Sequence, residues 1–211
     1  MPKAKQTKKR ASSKKPIIIH IDGVQGSGKS YVCSQIQSSK CICLDIDDID
    51  LEVKNYVDSS SMPKTFNSLG KVWKKRLNEI ISKNIKYGKT IIVIVGVKRI
   101  YMKETALDTA TYKYFIKLDD INTVYRRVFI RETEKILNNG DKIMEILNNK
   151  KIEEEELCDL IIRATNSALL YPVDYDRYVD NYKREMAKAK KTNYKIMSQD
   201  TIIKTINKLA E

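Results

Sequence analysis

The stretch "IIIHIDGVQGSGKS" spans residues 17–30 and joins an apolar run to a glycine-rich loop. The loop matches the spacing G-x-x-x-x-G-K-[ST] with Gly23, Gly28, Lys29 and Ser30. Glycines allow positive φ angles and let backbone N–H groups approach a phosphate closely. At this spacing the lysine reaches the β- and γ-phosphates of a nucleotide, and the serine hydroxyl ligates Mg²⁺. The loop therefore predicts a phosphate site between a buried strand and a helix.

Strand and helix patterns alternate along the rest of the chain. Apolar runs predict strands at residues 17–21, 41–46, 90–95, 112–118 and 194–197. Helices are expected at residues 29–37, at 69–85, from about 120 onward, and at 198–210. Strands separated by helices pair in parallel, so the sequence predicts an α/β, three-layer sandwich with a five-stranded parallel sheet. Residues 17–211 are expected to form one domain.

Two segments depart from this alternation. Residues 1–16 contain seven lysines and arginines and no acid, which predicts a disordered basic tail. This composition fits a nuclear-import signal, a weak nucleic-acid tether or a solubilising tail. Residues 126–171 are interpreted as a helical lid or insertion, and the acid run at 153–156 as its solvated face.

Composition narrows the class of protein. The chain has 211 residues and a formal net charge of +13, and no apolar stretch approaches the roughly 20 residues that span a bilayer. The N-terminus lacks the apolar segment of a signal peptide. The four cysteines form no zinc-binding pattern, and we expect buried, reduced thiols at Cys33, Cys41, Cys43 and Cys158. An intracellular protein without membrane partners is the simplest interpretation.

The loop spacing, the chain length and the order of elements resemble the P-loop kinases of the nucleoside and nucleoside-monophosphate kinase type. The resemblance implies the strand order 2-3-1-4-5 and transfer of the ATP γ-phosphoryl group to a small acceptor, with nucleosides and nucleotides as the leading class. ATP and Mg²⁺ are the implied cofactors. The residues that match the family's nucleotide-binding loop are Gly23, Gln25, Gly26, Ser27, Gly28, Lys29 and Ser30.

An acidic cluster, "DIDDID" at residues 45–50, follows the second strand. In kinases of this type a carboxylate at that place orients or deprotonates the acceptor and helps to hold Mg²⁺ through water. We expect Asp47 first and Asp48 second in this role, with Ser30 and Asp47 at the metal and Asp48 also near the acceptor. The alternative for one of the four aspartates, including Asp45 and Asp50, is a helix N-cap.

Phosphoryl transfer needs positive charge around the transferred group. The resemblance implies lid arginines after the fourth strand, where Arg127 and Arg131 lie one helical turn apart. The alternative for both is ordinary surface pairing. Arg76, on the apolar stripe of the earlier helix, is expected either to extend to water or to contact the acceptor.

The end of the third strand departs from the family pattern, and no acceptor signature names a base or a sugar. Gly96 and Val97 stand where related kinases carry an acid at the end of the third strand. His20, in the first strand, is interpreted as a core residue. The alternatives to a small-acceptor kinase are a polynucleotide 5′-hydroxyl kinase, a non-catalytic nucleotide sensor, and a GTPase. The last lacks its guanine-reading motif, since "NKLA" at residues 207–210 has no aspartate.

Overall fold

The computed structural model describes residues 15–60, 65–138 and 175–211. The strands are β1 (Ile17–Asp22), β2 (Cys41–Asp45), β3 (Ile91–Val95), β4 (Tyr112–Ile116) and β5 (Lys195–Met197). The helices are α1 (Lys29–Ser34), α2 (Ile46–Ser59), α3 (Phe66–Lys86), α4 (Ile121–Asn138), α5 (Tyr175–Lys191) and α6 (Gln199–Ala210). The predicted tail at 1–16 and most of the predicted insertion at 126–171 lie outside the described residues.

The five strands form one parallel sheet in the order β2-β3-β1-β4-β5. This confirms the predicted order 2-3-1-4-5 and the α/β class. The register aligns Ile21 with Val95 on one side, and Val95 in turn with Asp45. The carboxyl ends of β1, β2 and β3 therefore meet at one edge, which is where open parallel sheets bind ligands.

Helices cover both faces of the sheet, as a three-layer sandwich requires. On one face the side chains of Ile19, Ile21 and Val93 pack with those of α1 and α6. On the other face, residues of β3 such as Ile92 and Ile94 pack with α2 and α3, while β4 packs with α4 and α5. This second face consequently has two separate helical groups, with β1 between them.

Helix α2 is the element that the sequence pattern concealed. The acidic cluster reads as a strand end followed by a loop, yet the helix begins at Ile46, directly after β2. Its buried residues are Ile46, Ile49, Asp50, Val53 and Val57, which follow the spacing of one helix face. Asp47 and Asp48 lie between these positions and Asp50 occupies one of them, so the acids obscure the apolar stripe in the sequence.

The cysteines differ from the prediction of four reduced thiols. The structure joins Cys33 of α1 to Cys43 of β2 by a disulfide, with 5.7 Å between the Cα atoms. Cys41 is free and buried, and Cys158 lies outside the described residues. The pairing arises because α1 packs on the face of the sheet to which Cys43 contributes, a tertiary contact that sequence spacing does not reveal. Reduced thiols therefore no longer support an intracellular setting, which stays a prediction.

Within the three described ranges, every helix is too short or too polar to cross a bilayer.

Candidate active site

The glycine loop adopts backbone angles that glycine favours. Gly26 has φ +76° and Gly28, the N-cap of α1, has φ +87°. A Cβ atom at Gly26 would overlap the side chain of Val128, and one at Gly28 would overlap that of Gln199. Both positions therefore require glycine for two reasons. The backbone has a positive φ angle, and a side chain of α4 or α6 occupies the place of a Cβ atom.

Three contacts hold the loop from the C-terminal half of the chain. The Tyr178 hydroxyl donates to the Gln25 carbonyl at 2.7 Å, and Gln199 Nε2 donates to the Ser27 carbonyl at 2.6 Å. Val128 packs beside Gly26. The loop is therefore fixed by α4, α5 and α6 in addition to its own strand and helix, as a preorganised phosphate site requires.

The Lys29 ammonium lies inside the loop. Its Nζ donates to the carbonyls of Gly23 at 2.7 Å and Val24 at 3.0 Å. Burial lowers the pKa of Lys29, while the charges of Asp22, Asp47 and Asp45 raise it and that of Arg131 lowers it further. The carboxylates at the ends of β1 and β2 and in the first turn of α2 therefore favour the charged form of this lysine. To reach a phosphate, Nζ must exchange the two carbonyls for phosphate oxygens.

Asp22, the last residue of β1, is a site residue that the sequence reasoning missed. Its Oδ1 accepts a hydrogen bond from the Gly23 N–H at 2.7 Å. Burial raises the pKa of Asp22 to about 6, against the opposing effects of that hydrogen bond and of Lys29. The signal was available, because an acid that directly precedes the loop must lie at the carboxyl end of β1. Its side chain lines a cavity of about 420 Å³.

The four aspartates of the acidic cluster have four different environments. Asp45 is the N-cap of α2 and accepts from the Asp47 N–H at 2.9 Å, which confirms the predicted cap for one member. Asp47 is 70% exposed and pairs with Arg99 at 3.0 Å. Asp48 is exposed in the first turn of α2. Asp50 is buried, accepts from the Tyr101 hydroxyl and pairs with Lys54 at 2.8 Å.

The end of β3 explains why the expected acid is missing. Gly96 is buried with φ +131°, and a Cβ atom there would lie 2.7 Å from the Cβ of Ile46. Any larger residue would push α2 away from the sheet. An acid at this place is therefore incompatible with the way α2 packs, and the carboxylates at this edge of the sheet belong to Asp22 of β1 and Asp45 of β2.

The predicted arginines lie in two different places. Arg127 and Arg131 are exposed on α4, whose Val124 and Val128 pack against the loop. Of the two, Arg131 is the one whose charge affects the pKa of Lys29. Arg76 lies on α3, where it pairs with Glu52 of α2 at 2.8 Å and lines a separate surface cavity of about 540 Å³. The charges of Asp47 and Arg131 thus both affect Lys29, whereas Arg76 is paired with Glu52 and lines a different cavity.

His20 is buried in β1, in agreement with the interpretation as a core residue. Its Nε2 lies 3.0 Å from the Gly96 carbonyl, and its Nδ1 lies 2.5 Å from the Tyr194 hydroxyl. Because a carbonyl only accepts, Nε2 carries the proton and Nδ1 accepts from Tyr194. Burial lowers the pKa of His20 to about 4, so the ring is neutral at physiological pH.

The donor groups fit a metal ion that arrives with the nucleotide. Among the described residues, no three His, Cys, Asp or Glu side chains lie close enough together to hold a metal by themselves. Mg²⁺ at phosphoryl-transfer sites is bound through one or two protein oxygens plus substrate phosphates and water. Ser30 and Asp47 supply oxygens of that kind near the loop. The buried Ser27 hydroxyl, which has no hydrogen-bond partner, is a further polar group within it.

Comparisons with known proteins yield structural matches alone. No protein-family model and no curated protein matches the sequence. The fold is similar to that of TT1252 from Thermus thermophilus, with 19% identity, a TM-score of 0.41, and coverage of 74% of this chain and 99% of that one. It is also similar to thymidylate kinase from Candida albicans, with 11% identity, a TM-score of 0.37, and coverage of 92% and 91%. The P-loop kinase-like fold therefore rests on this chain's own strand order and loop.

Proposed function

We propose that the protein is an ATP- and Mg²⁺-dependent phosphotransferase that moves the γ-phosphoryl group to a small acceptor, with nucleosides and nucleotides as the leading class. One observation carries the proposal. Lys29 Nζ donates to the loop carbonyls of Gly23 and Val24, and Asp22 accepts from the Gly23 N–H, so an ammonium and a carboxylate meet at the same turn of the loop. A lysine for the phosphates and acids for the acceptor or metal are the groups that phosphoryl transfer requires.

The reaction assigns a task to each group. An oxygen of the acceptor bonds to the γ-phosphorus, the bond from that phosphorus to the bridging oxygen breaks, and ADP leaves. The proton of an acceptor hydroxyl passes to a carboxylate, and we assign this step to Asp22. A carboxyl with a pKa of about 6 is ionised at neutral pH and still basic enough to assist.

The remaining residues bind and orient. N–H groups of the loop that have no partner within it, together with the Lys29 ammonium, hold the phosphates of the nucleotide. Ser30 and Asp47 would hold the Mg²⁺ of the MgATP substrate, which neutralises phosphate charge. Arg127 and Arg131 are proposed to stabilise the transferred group from α4, and Asp48 and Arg76 to contact the acceptor. Of these roles, the acceptor contact proposed for Arg76 has the least support, because its guanidinium is paired with Glu52.

The test is transfer of labelled γ-phosphate from ATP to a panel of nucleosides, nucleoside monophosphates, small sugars and acids, and 5′-hydroxyl oligonucleotides. We expect label on one acceptor class, and we expect the label to disappear in Lys29→Ala. Full transfer in that variant would contradict the role of the loop. If MgATP binds and no member of the panel is labelled, the non-catalytic sensor becomes the better hypothesis, since Gly96 replaces the expected acid.

A further inference from the structure

Two neighbouring cavities lie on the face of the sheet that bears α2 and α3. The inner cavity, of about 420 Å³, is lined by residues from Asp22, beside the loop, to Tyr194. The outer cavity, of about 590 Å³, lies between the first turns of α3 and residues 100–104. Ile100 and Lys103 line both cavities, which makes the two adjacent. We call the two cavities together the lysine groove.

The lysine groove has a net positive charge, although Lys98, Lys188 and Lys74 are paired with Asp108, Glu185 and Glu104 respectively. Basic side chains outnumber acids in both cavities. The bases are Lys98, Arg99, Lys103, Lys113 and Lys188 in the inner part and Lys71, Lys74 and Lys103 in the outer part. Against them stand Asp22, Asp108 and Glu185 in the inner part and Glu104 in the outer part. Such a groove suits a ligand with several negative charges spaced along it.

The outer end of the groove has an exposed aromatic pair. Phe66 is 68% exposed and stacks on Tyr101, with ring centroids 6.2 Å apart and planes 14° apart. The Tyr101 hydroxyl donates to the buried Asp50, which fixes this ring against α2. A fixed tyrosine behind an exposed phenylalanine offers a flat apolar surface between lysines. Basic grooves interleaved with aromatic rings are typical of single-strand binding.

We propose that the lysine groove binds the 5′ end of a single-stranded nucleic acid, with phosphates along the lysines and a base stacked on Phe66. This rests on the proposed function and names its acceptor, the terminal 5′-hydroxyl at the Asp22 end. That oxygen bonds to the γ-phosphorus, the bond to the ADP bridging oxygen breaks, and the hydroxyl proton passes to Asp22. Phe66, Lys71 and Lys74 line the outer cavity and not the inner one, so a ligand that uses both cavities must extend beyond the Asp22 end.

Binding of oligonucleotides tests the groove without any phosphoryl transfer. The probe is a 5′-hydroxyl twelve-nucleotide oligothymidylate with a 3′ fluorophore, followed by anisotropy with the full-length protein. Phe66→Ala should weaken binding at least about fivefold, as the loss of one stacked base predicts. The matched control is Tyr87→Ala, an equally exposed ring at the far end of α3 (71% against 68%). Equal affinity of the two variants would overturn the proposal.

The salt dependence tests the phosphate contacts. Lys71→Gln with Lys103→Gln should reduce the slope of log K against log salt concentration by about 0.7 for each lost contact. The control is Lys204→Gln with Lys208→Gln, two exposed lysines on α6. Helix α6 packs on the opposite face of the sheet. All variants keep the basic N-terminus, so its contribution is constant. Equal slopes for both pairs would place the contacts outside the groove and overturn the proposal.

Phosphoryl transfer then separates this inference from the function on which it rests. Label on the oligonucleotide that falls in the groove variants and not in the controls supports both. Label on mononucleotides, with none on the oligonucleotide, overturns the groove proposal and leaves the kinase standing. Groove-dependent binding without label on any acceptor supports the groove as a nucleic-acid site and contradicts the kinase.

Discussion

Asp22 and Lys29 stand at the two ends of the phosphate-binding loop, and each affects the titration of the other. The lysine charge lowers the pKa of Asp22, but burial has the larger effect and raises it to about 6. The same burial lowers the pKa of Lys29. Burial thus disfavours the charged form of both side chains. We therefore expect a substitution at Asp22 to lower activity and to raise stability.

We expect Asp22→Asn to abolish most phosphoryl transfer while making the fold more stable. In the wild type, kcat/KM should rise with pH and level off above about 6, because the carboxylate must be ionised to accept a proton. The variant should lose this rise. A pH–rate profile of both proteins is the measurement, and an unchanged profile would exclude Asp22 as the proton acceptor.

Asp22→Asn should raise the stability of the fold, although it lowers activity. The pKa of Asp22 is higher in the folded chain than its ordinary 3.8, so the ionised form opposes folding. The gain from Asp22→Asn should grow between about pH 4 and pH 6, reach up to about 3 kcal/mol, and stay constant above that. Urea unfolding of both proteins across this range checks the sign. A variant that is less stable at pH 8 would mean that the carboxylate is stabilising.

Asp47→Asn should lower kcat more than it changes the KM for ATP, since a metal or acceptor ligand acts mainly in the transition state. Asp47 is 70% exposed, so the substitution should not affect folding. Asp48→Asn, in the same turn of α2, is the matched comparison. If Asp48→Asn alone lowers kcat, the order of preference within the acidic cluster is wrong.

At the scale of elements, the contact between the end of β3 and the start of α2 shapes the site. Gly96 lets Ile46 pack directly on the sheet, and α2 then carries Asp47 towards Lys29. The same helix holds Tyr101 through Asp50, and Tyr101 lies at the outer end of the lysine groove. The position of α2 therefore links the phosphate site to the lysine groove.

Gly96→Ala should destabilise the protein more than Gly88→Ala. Both glycines have positive φ angles, +131° and +81°, but a Cβ at Gly88 meets nothing within 4 Å, whereas one at Gly96 meets Ile46 at 2.7 Å. We expect about 1–2 kcal/mol for Gly88→Ala from backbone conformation alone. Gly96→Ala should cost about 1–3 kcal/mol more, from overpacking. Equal losses in urea unfolding would show that α2 moves at little cost.

The disulfide between α1 and β2 should stabilise the folded protein. It closes a separation of 10 residues, for which chain entropy predicts about 2–3 kcal/mol. We expect Cys33→Ala with Cys43→Ala to lower the free energy of unfolding by this amount. Reduction of the denatured wild type should raise its count of titratable thiols by two. A count that is the same before and after reduction would contradict the bond.

At the scale of the whole molecule, distant parts of the chain meet at the loop. Tyr178 and Gln199 bond to loop carbonyls although they lie in the last two helices. Ligand binding at the loop should therefore stabilise the whole fold rather than one half of it. The site and the stability of the protein are coupled through these contacts.

Saturating MgATP should raise Tm in a single transition. At a concentration 100 times the Kd, binding stabilises by about 2.7 kcal/mol, which corresponds to about 5–10 °C for a chain of this size. Lys29→Ala should remain folded without ligand and lose most of this shift. Differential scanning calorimetry of both proteins is the measurement. An unchanged Tm in the wild type, or an equal shift in the variant, would contradict nucleotide binding at this loop.

Local patterns in the sequence were sufficient to predict the loop and the parallel sheet, while the order of its strands came from the resemblance to P-loop kinases. Glycine spacing and apolar runs act over a few residues, so they are visible without a structure. They also placed Lys29, Ser30 and the acidic cluster at one edge, because carboxyl ends of parallel strands share that edge. The position of α2 and the role of Asp22 were missed. The first was hidden by acids within an apolar stripe, and the second stood unassigned beside the loop.

Tertiary packing decided the rest. The reason for Gly96 is a contact with Ile46, the disulfide depends on α1 lying over β2, and the partner of Arg76 comes from a neighbouring helix. The lysine groove combines residues from α3, α5, β4 and the segment after β3. None of these pairs is close in sequence. Side chains from separate elements meet only when helices pack on a sheet, so the sequence determined the phosphate site, and the fold alone decided what surrounds it.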